Sequence, residues 1–150
     1  MNADNGPERN LKAAKRWFEE LWGGPDLDLA DEIVDDSYAP DWIQIPKTGP
    51  AQVKHEIRYF RSALPDLTYE VLEATADGDK VWVRYRGRGT QLGPAWGFEA
   101  SGKTATFEGV TIFTFNADGR IVDRWGAFCF YDLFVELGHV RPWWELGAGD

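Results

Sequence analysis

"TATFEGVTIFTFNADGRIVDRWGAFCF", Thr104 to Phe130, decides the fold. Its first part is dominated by β-branched and aromatic residues, "NADG" (Asn116 to Gly119) is a tight-turn sequence, and the residues from Arg120 onward return to a strand pattern. Two such runs joined by so short a turn make an antiparallel hairpin. In its second arm, period-two alternation puts Trp125, Ala127 and Cys129 on one face and Arg124, Gly126 and Phe128 on the other, with Asp123 sharing the face of Trp125.

Working outward, "GPAWGFEASGK" is a glycine-rich loop, and before it "KVWVRYRGRG" alternates again: Val83, Tyr85, Gly87, Gly89 and Gln91 in one set, Trp82, Arg84, Arg86 and Arg88 in the other. A "DGD" turn (Asp77 to Asp79) joins it to another strand, Leu67 to Ala76. Connections this short imply an antiparallel meander of the four runs. The upstream half is helical. Leu11, Ala14, Phe18, Leu21 and Trp22 keep a helical stripe that "GGP" ends at Gly23 to Pro25. A shorter helix starts near Asp28, Pro40 breaks it, and "DWIQIP" reads as a brief extended segment. Val53, Ile57, Phe60 and Leu64 mark a third amphipathic helix, closed by Pro65. The expected class is therefore α+β: three N-terminal helices packed in a curved, mainly antiparallel sheet that forms a cone with an apolar mouth. Residues 1–10 are expected to be a flexible N-terminus, 11–138 the cone domain and 139–150 a C-terminal tail.

Composition narrows the function. The chain has 150 residues and a formal charge of −9, from 25 acids against 16 bases. That balance argues against nucleic acid or an anionic membrane as partner. One cysteine makes no internal disulfide, and "MNADNGPERN" has no apolar targeting segment, so the cytoplasm is the expected compartment. No ligand-spaced metal cluster or phosphate-binding glycine loop is present, so no cofactor is expected. Eight Trp, nine Phe and five Tyr exceed what a small core needs. They line either a cavity for a hydrophobic small molecule or an aromatic dimer interface.

The order "RWFEELW … LADEIVDDSYAPDWI … LPDL … VWVRYRGRGT … SGKTATFEGVTIFTFNADGRIVDRWGAF … ELG" resembles the SnoaL-like polyketide cyclases, of the cone-shaped superfamily that includes ketosteroid isomerases and limonene epoxide hydrolase. The resemblance runs from about Leu11 to Gly138. It implies a cofactor-free enzyme of secondary metabolism acting on a hydrophobic, often polycyclic intermediate. It also implies ring closure by intramolecular aldol condensation, an aspartate as general acid/base with histidines nearby, and a homodimer formed through the outer sheet face. By the family's spacing that aspartate falls at Cys129, and two frequent histidines fall at Ile45 and Gln91. The family pattern also turns the Tyr85 set inward and points Thr111 into the cavity.

The catalytic candidates are Asp123, Asp41 and Cys129. Asp123 is the carboxylate on the expected inward face of the last strand, and burial among rings would raise its pKa toward neutrality. Asp41 sits beside Trp42 near the expected mouth, where a turn or cap role is the alternative. Cys129 is either a reactive thiol or a small apolar wall residue; neither histidine, His55 on the third helix nor His139 in the tail, has an evident reason to reach it. Trp42, Ile45, Phe60, Tyr85, Gln91, Thr111, Phe113, Trp125 and Ala127 are the expected substrate-binding wall. Gly87 either widens the cavity or bends the sheet, and Arg84, Arg86 and Arg88 are expected on the outer face. Trp143 and Trp144 either cap the cone or pack on a partner subunit. A cyclase is the leading reading, beside an epoxide-opening hydrolase or ether-ring cyclase, and a binding protein without turnover.

Overall fold

The structure is a computed structural model and describes residues 6–147. Helix α1 spans Gly6–Arg16 and continues into a π-helical turn, Trp17–Trp22; α2 is Leu29–Ile33 and α3 is Gly49–Ala63. Strands β1 (Thr68–Asp77), β2 (Lys80–Thr90), β3 (Thr104–Phe115) and β4 (Ile121–Phe128) follow, then α4 (Phe130–Glu136) and a short 3-10 turn, Trp143–Glu145. Helix α1 already begins at Gly6, inside the segment expected to be flexible, while residues 1–5 lie outside the described residues. The "DWIQIP" segment forms a turn and loop, not a strand.

The π-helical turn closes with Gly23 N–H donating to the Phe18 carbonyl at 2.9 Å. It buries Trp17, Phe18, Leu21 and Trp22 against the sheet. Helix α3 starts with Pro50 in its first turn, where a missing N–H costs nothing, and buries Val53, Ile57 and Phe60. The sheet has the order β1-β2-β3-β4, all antiparallel. Helices on the concave face and this curved meander make the α+β cone.

Two bulges shape the sheet, one between Val71 and Glu73 and one where β3 meets β4. The second decides the site. Phe115 faces Ile121, yet Thr114 faces Asp123, so Val122 is an extra residue in β4. Its cause is local. Ile121 bridges Val34, and its carbonyl accepts from Asp35 N–H at 2.9 Å, which holds this end of β4 to the loop after α2 as well as to β3. One extra residue reverses every later side chain. Ile121 is buried in the core, but the inward residues beyond it are Arg124, Gly126 and Phe128, while Trp125 is 52% exposed. The expectation that Asp123, Trp125 and Cys129 face inward is thus corrected.

On β2 and β3 the inward sets are as expected: Val83, Tyr85 and Gly87 opposite Thr111, Gly109 and Phe107. Gly87 neither bulges nor opens space; a Cβ there would lie 2.5 Å from the Phe107 ring and 2.8 Å from the Tyr69 ring. The close approach of those two rings is what requires glycine. Outside, Arg84 and Arg86 pair with Glu70, Glu73 and Glu108, as the alternation predicted.

Candidate active site

A cavity of about 200 Å³ opens between the π-helical turn, α3 and the inner face of the sheet. Phe18, Trp22, Phe60, Tyr69 and Phe128 form its wall, and Trp42, Ala127 and Phe130 lie toward its mouth. The rings lock one another: Phe18 stacks on Tyr85 with centroids 4.5 Å apart, and Trp22 meets Phe60 edge-on at 5.4 Å.

Four polar side chains besides Tyr69 reach this apolar space: Glu56 from α3, Tyr85 from β2, Thr111 from β3 and Arg124 from β4. Arg124 Nη2 donates to Glu56 Oε2 at 2.8 Å, and Arg124 Nε donates to the Tyr38 hydroxyl at 3.0 Å. The guanidinium lies over Trp17 and Trp42, 5.1 Å and 5.2 Å from their centroids. Trp42 Nε1 in turn donates to the Arg124 carbonyl, tying the mouth loop to β4. The side chains of Arg124 and Glu56 are only 8% and 18% exposed. Burial works against the charge on Arg124, but the Glu56 carboxylate and Tyr38 outweigh it and hold the guanidinium above its ordinary pKa. Burial also raises the Tyr85 hydroxyl to about 12 and the Tyr69 hydroxyl well above its usual range. Both tyrosines therefore stay neutral and can donate hydrogen bonds near neutrality; neither is a base there.

Of the expected wall, Trp42, Phe60, Tyr85, Thr111 and Ala127 do line the cavity. The others do not. Phe113 is sealed in the core against Trp17, at 5.3 Å. Ile45 lies outside, its carbonyl accepting from Gln52 Nε2 at 3.3 Å. Gln91 is fully buried beneath the 92–101 loop, with Oε1 2.5 Å from His139 Nε2, and His139 stacks on Phe98 at 4.3 Å. That pairing pins the start of the tail and turns His139 to Gln91 and Phe98. Trp125 and Asp123 are on the outer face, and Asp41 is exposed beside Trp42 but off the wall. Cys129 is exposed at the start of α4, in a separate outer groove with Glu108, Asp132 and Trp144. Trp143 and Trp144 pack on each other at 5.8 Å and do not cover the cavity mouth.

Sequence reasoning missed Glu56 and Arg124. Glu56 had a readable signal: it lies three residues after Val53 and four before Phe60, on the flank of the buried stripe of α3. Arg124 had none, because the bulge that turns it inward depends on a contact with Val34. Among the described residues no His, Cys, Asp and Glu side chains gather as a group that could hold a metal, and no helix is long and apolar enough to cross a membrane.

The profile of the SnoaL-like polyketide cyclases matches residues 12–136. No curated protein matches the chain in sequence. Among solved structures, a candidate SnoaL-like polyketide cyclase from Jannaschia sp. CCS1 superposes with a TM-score of 0.79 at 25% identity, covering 95% of this chain and 99% of that one. TsrD from Streptomyces laurentii superposes with a TM-score of 0.77 at 22% identity, over 89% of this chain and 95% of that one. IdmH, a candidate polyketide cyclase from Streptomyces antibioticus, gives 0.70 at 19%, over 88% and 98%. At such identities the superpositions speak for the fold.

Proposed function

The chain belongs to the SnoaL-like polyketide cyclase family, and on that premise we propose that it is a cofactor-independent cyclase of a hydrophobic, polyketide-like intermediate of secondary metabolism. The observation that carries this reading is an aromatic cavity with an ion pair set into its wall, Glu56 with Arg124. Flat rings bind and fold a flat substrate, and the ionised groups provide acid/base chemistry where water is scarce. Capacity limits what enters. A dry cavity of about 150 Å³ accepts benzene, so the 200 Å³ here takes one or two rings at the reacting end. The rest of a longer substrate leaves through the mouth at Trp42 and Phe130. A homodimer fits the same reading: Trp82, Ile112 and Trp125 form a cross-strand apolar row on the outer face, with the two tryptophans 48% and 52% exposed.

The test is incubation with a bicyclic aryl β-diketone whose side-chain ketone is placed for ring closure. Expected is saturable quenching of tryptophan fluorescence, with a product of equal mass, or lighter by one water, formed faster than in buffer. Binding without product would favour the carrier reading; neither binding nor product would sink the proposal.

A further inference from the structure

Glu56 is the one carboxylate on the cavity wall among the described residues, and half of it is unused. Its Oε2 accepts from Arg124, while Oε1 has no hydrogen-bond partner among the described residues and is not fully buried. Arg124 shows the complementary pattern. Nε is taken by Tyr38 and Nη2 by Glu56, and Nη1 has no partner among the described residues and is likewise not fully buried. Two hydrogen bonds and the flanking rings of Trp17 and Trp42 fix the plane of the guanidinium, so its free edge is organised before any ligand arrives. The neighbouring Tyr69 and Tyr85 hydroxyls have no hydrogen-bond partner among the described residues and stay neutral, so they add donors and no base.

Resting on the reading of this cavity as the catalytic pocket, we propose that Glu56 is its general acid/base and that Arg124 holds the carbonyl oxygen of a neutral, enolisable ketone. Glu56 Oε1 takes the proton from the carbon beside that carbonyl. The C–H electron pair becomes the C=C bond of an enolate, and the carbonyl π pair moves to the oxygen beside Arg124. The enolate carbon then bonds to a second carbonyl carbon of the same molecule. The π pair of that carbonyl moves to its own oxygen, which takes back the proton from Glu56. No atom is gained or lost, and no oxidant is needed. Charge balances as well: Arg124 faces one anionic partner throughout, first the Glu56 carboxylate and then the enolate. A substrate carrying its own carboxylate at this end is disfavoured, because Glu56 already occupies the guanidinium.

The probe is 2-tetralone, a two-ring neutral ketone, with exchange of its C1 protons in D2O followed by NMR and binding by tryptophan quenching. Wild type is expected to accelerate exchange over buffer. Glu56→Gln should still bind within about threefold but lose at least about 10²-fold of the enzymatic rate. Glu56→Asp, which keeps the carboxylate, should give an intermediate rate, and outer-face Cys129→Ser and Asp123→Asn should match wild type. Wild-type exchange retained in Glu56→Gln would overturn the assignment. So would tight binding by wild type with no exchange above buffer, which leaves the pocket reading intact. Absence of 2-tetralone binding to wild type would overturn the pocket reading itself, and the assignment with it.

Discussion

Replacing Arg124 by Met keeps a long, flexible side chain in place and removes only the charge and the fork. Glu56 then loses the partner 2.8 Å away in a site where its own side chain is 18% exposed. Breaking a buried pair from one side costs about 3–5 kcal/mol, because the remaining charge is left without compensation. The residual exposure of Glu56 places the expected loss near the lower end, about 3 kcal/mol. At about 2–4 °C per kcal/mol for a domain of this size, the melting temperature should fall by about 6–12 °C. Glu56→Gln is milder, about 1–2 kcal/mol, since the amide oxygen still accepts from Nη2. The double variant should then be less destabilised than the sum of the singles by at least about 1 kcal/mol. Urea unfolding followed by tryptophan fluorescence measures all four corners of the cycle. A cost below about 1 kcal/mol for Arg124→Met, with additive singles, would show that water reaches the pair freely and that the cavity floor is not the dry, charged wall described above.

Tyr85 gives a pH prediction. Its folded hydroxyl holds the proton to about 12, while an unfolded tyrosine releases it near its ordinary value of 10.0. The contribution is therefore complete below pH 10 and is lost as pH rises toward 12, so the urea midpoint should fall more steeply over that window in wild type than in Tyr85→Phe. Gly109→Ala should destabilise by about 1–3 kcal/mol in thermal unfolding, because the new Cβ would stand 2.5 Å from the Tyr85 hydroxyl and 2.7 Å from the Ala127 carbonyl oxygen. If the outer face joins two copies, Trp82→Glu with Trp125→Glu should shift sedimentation from dimer to monomer while leaving the far-UV spectrum unchanged; a wild-type monomer would refute that interface.

The fold was legible because its signals are local. The stripes of α1 and α3, the glycine and proline stops, and the two hairpin turns all act within a few residues, and the strands fall where alternation and turns placed them. On β2 alternation sorted the two faces and the family pattern chose the inward one on β2 and β3: Tyr85 and Thr111 turn into the cavity and Arg84 and Arg86 away from it. Residues placed by family spacing outside the strands fared differently. Gln91 became a buried anchor for His139, and Ile45 a loop residue bonded to α3, because loop packing and not strand parity decides where they point.

For the stretch from Thr104 to Phe130, the sequence alone determined that two strands form, where they turn and that they pair. Which face of β4 looks into the cavity was decided only by tertiary structure. Parity along a strand holds until one residue is inserted, and the insertion at Val122 comes from Asp35 claiming the Ile121 carbonyl across a long span of chain. That contact turns Asp123, Trp125 and Cys129 outward and brings Arg124 in to meet Glu56. Side-chain chemistry is written in the sequence; the pairing of those two residues exists only once the loop after α2, helix α3 and strand β4 have packed together.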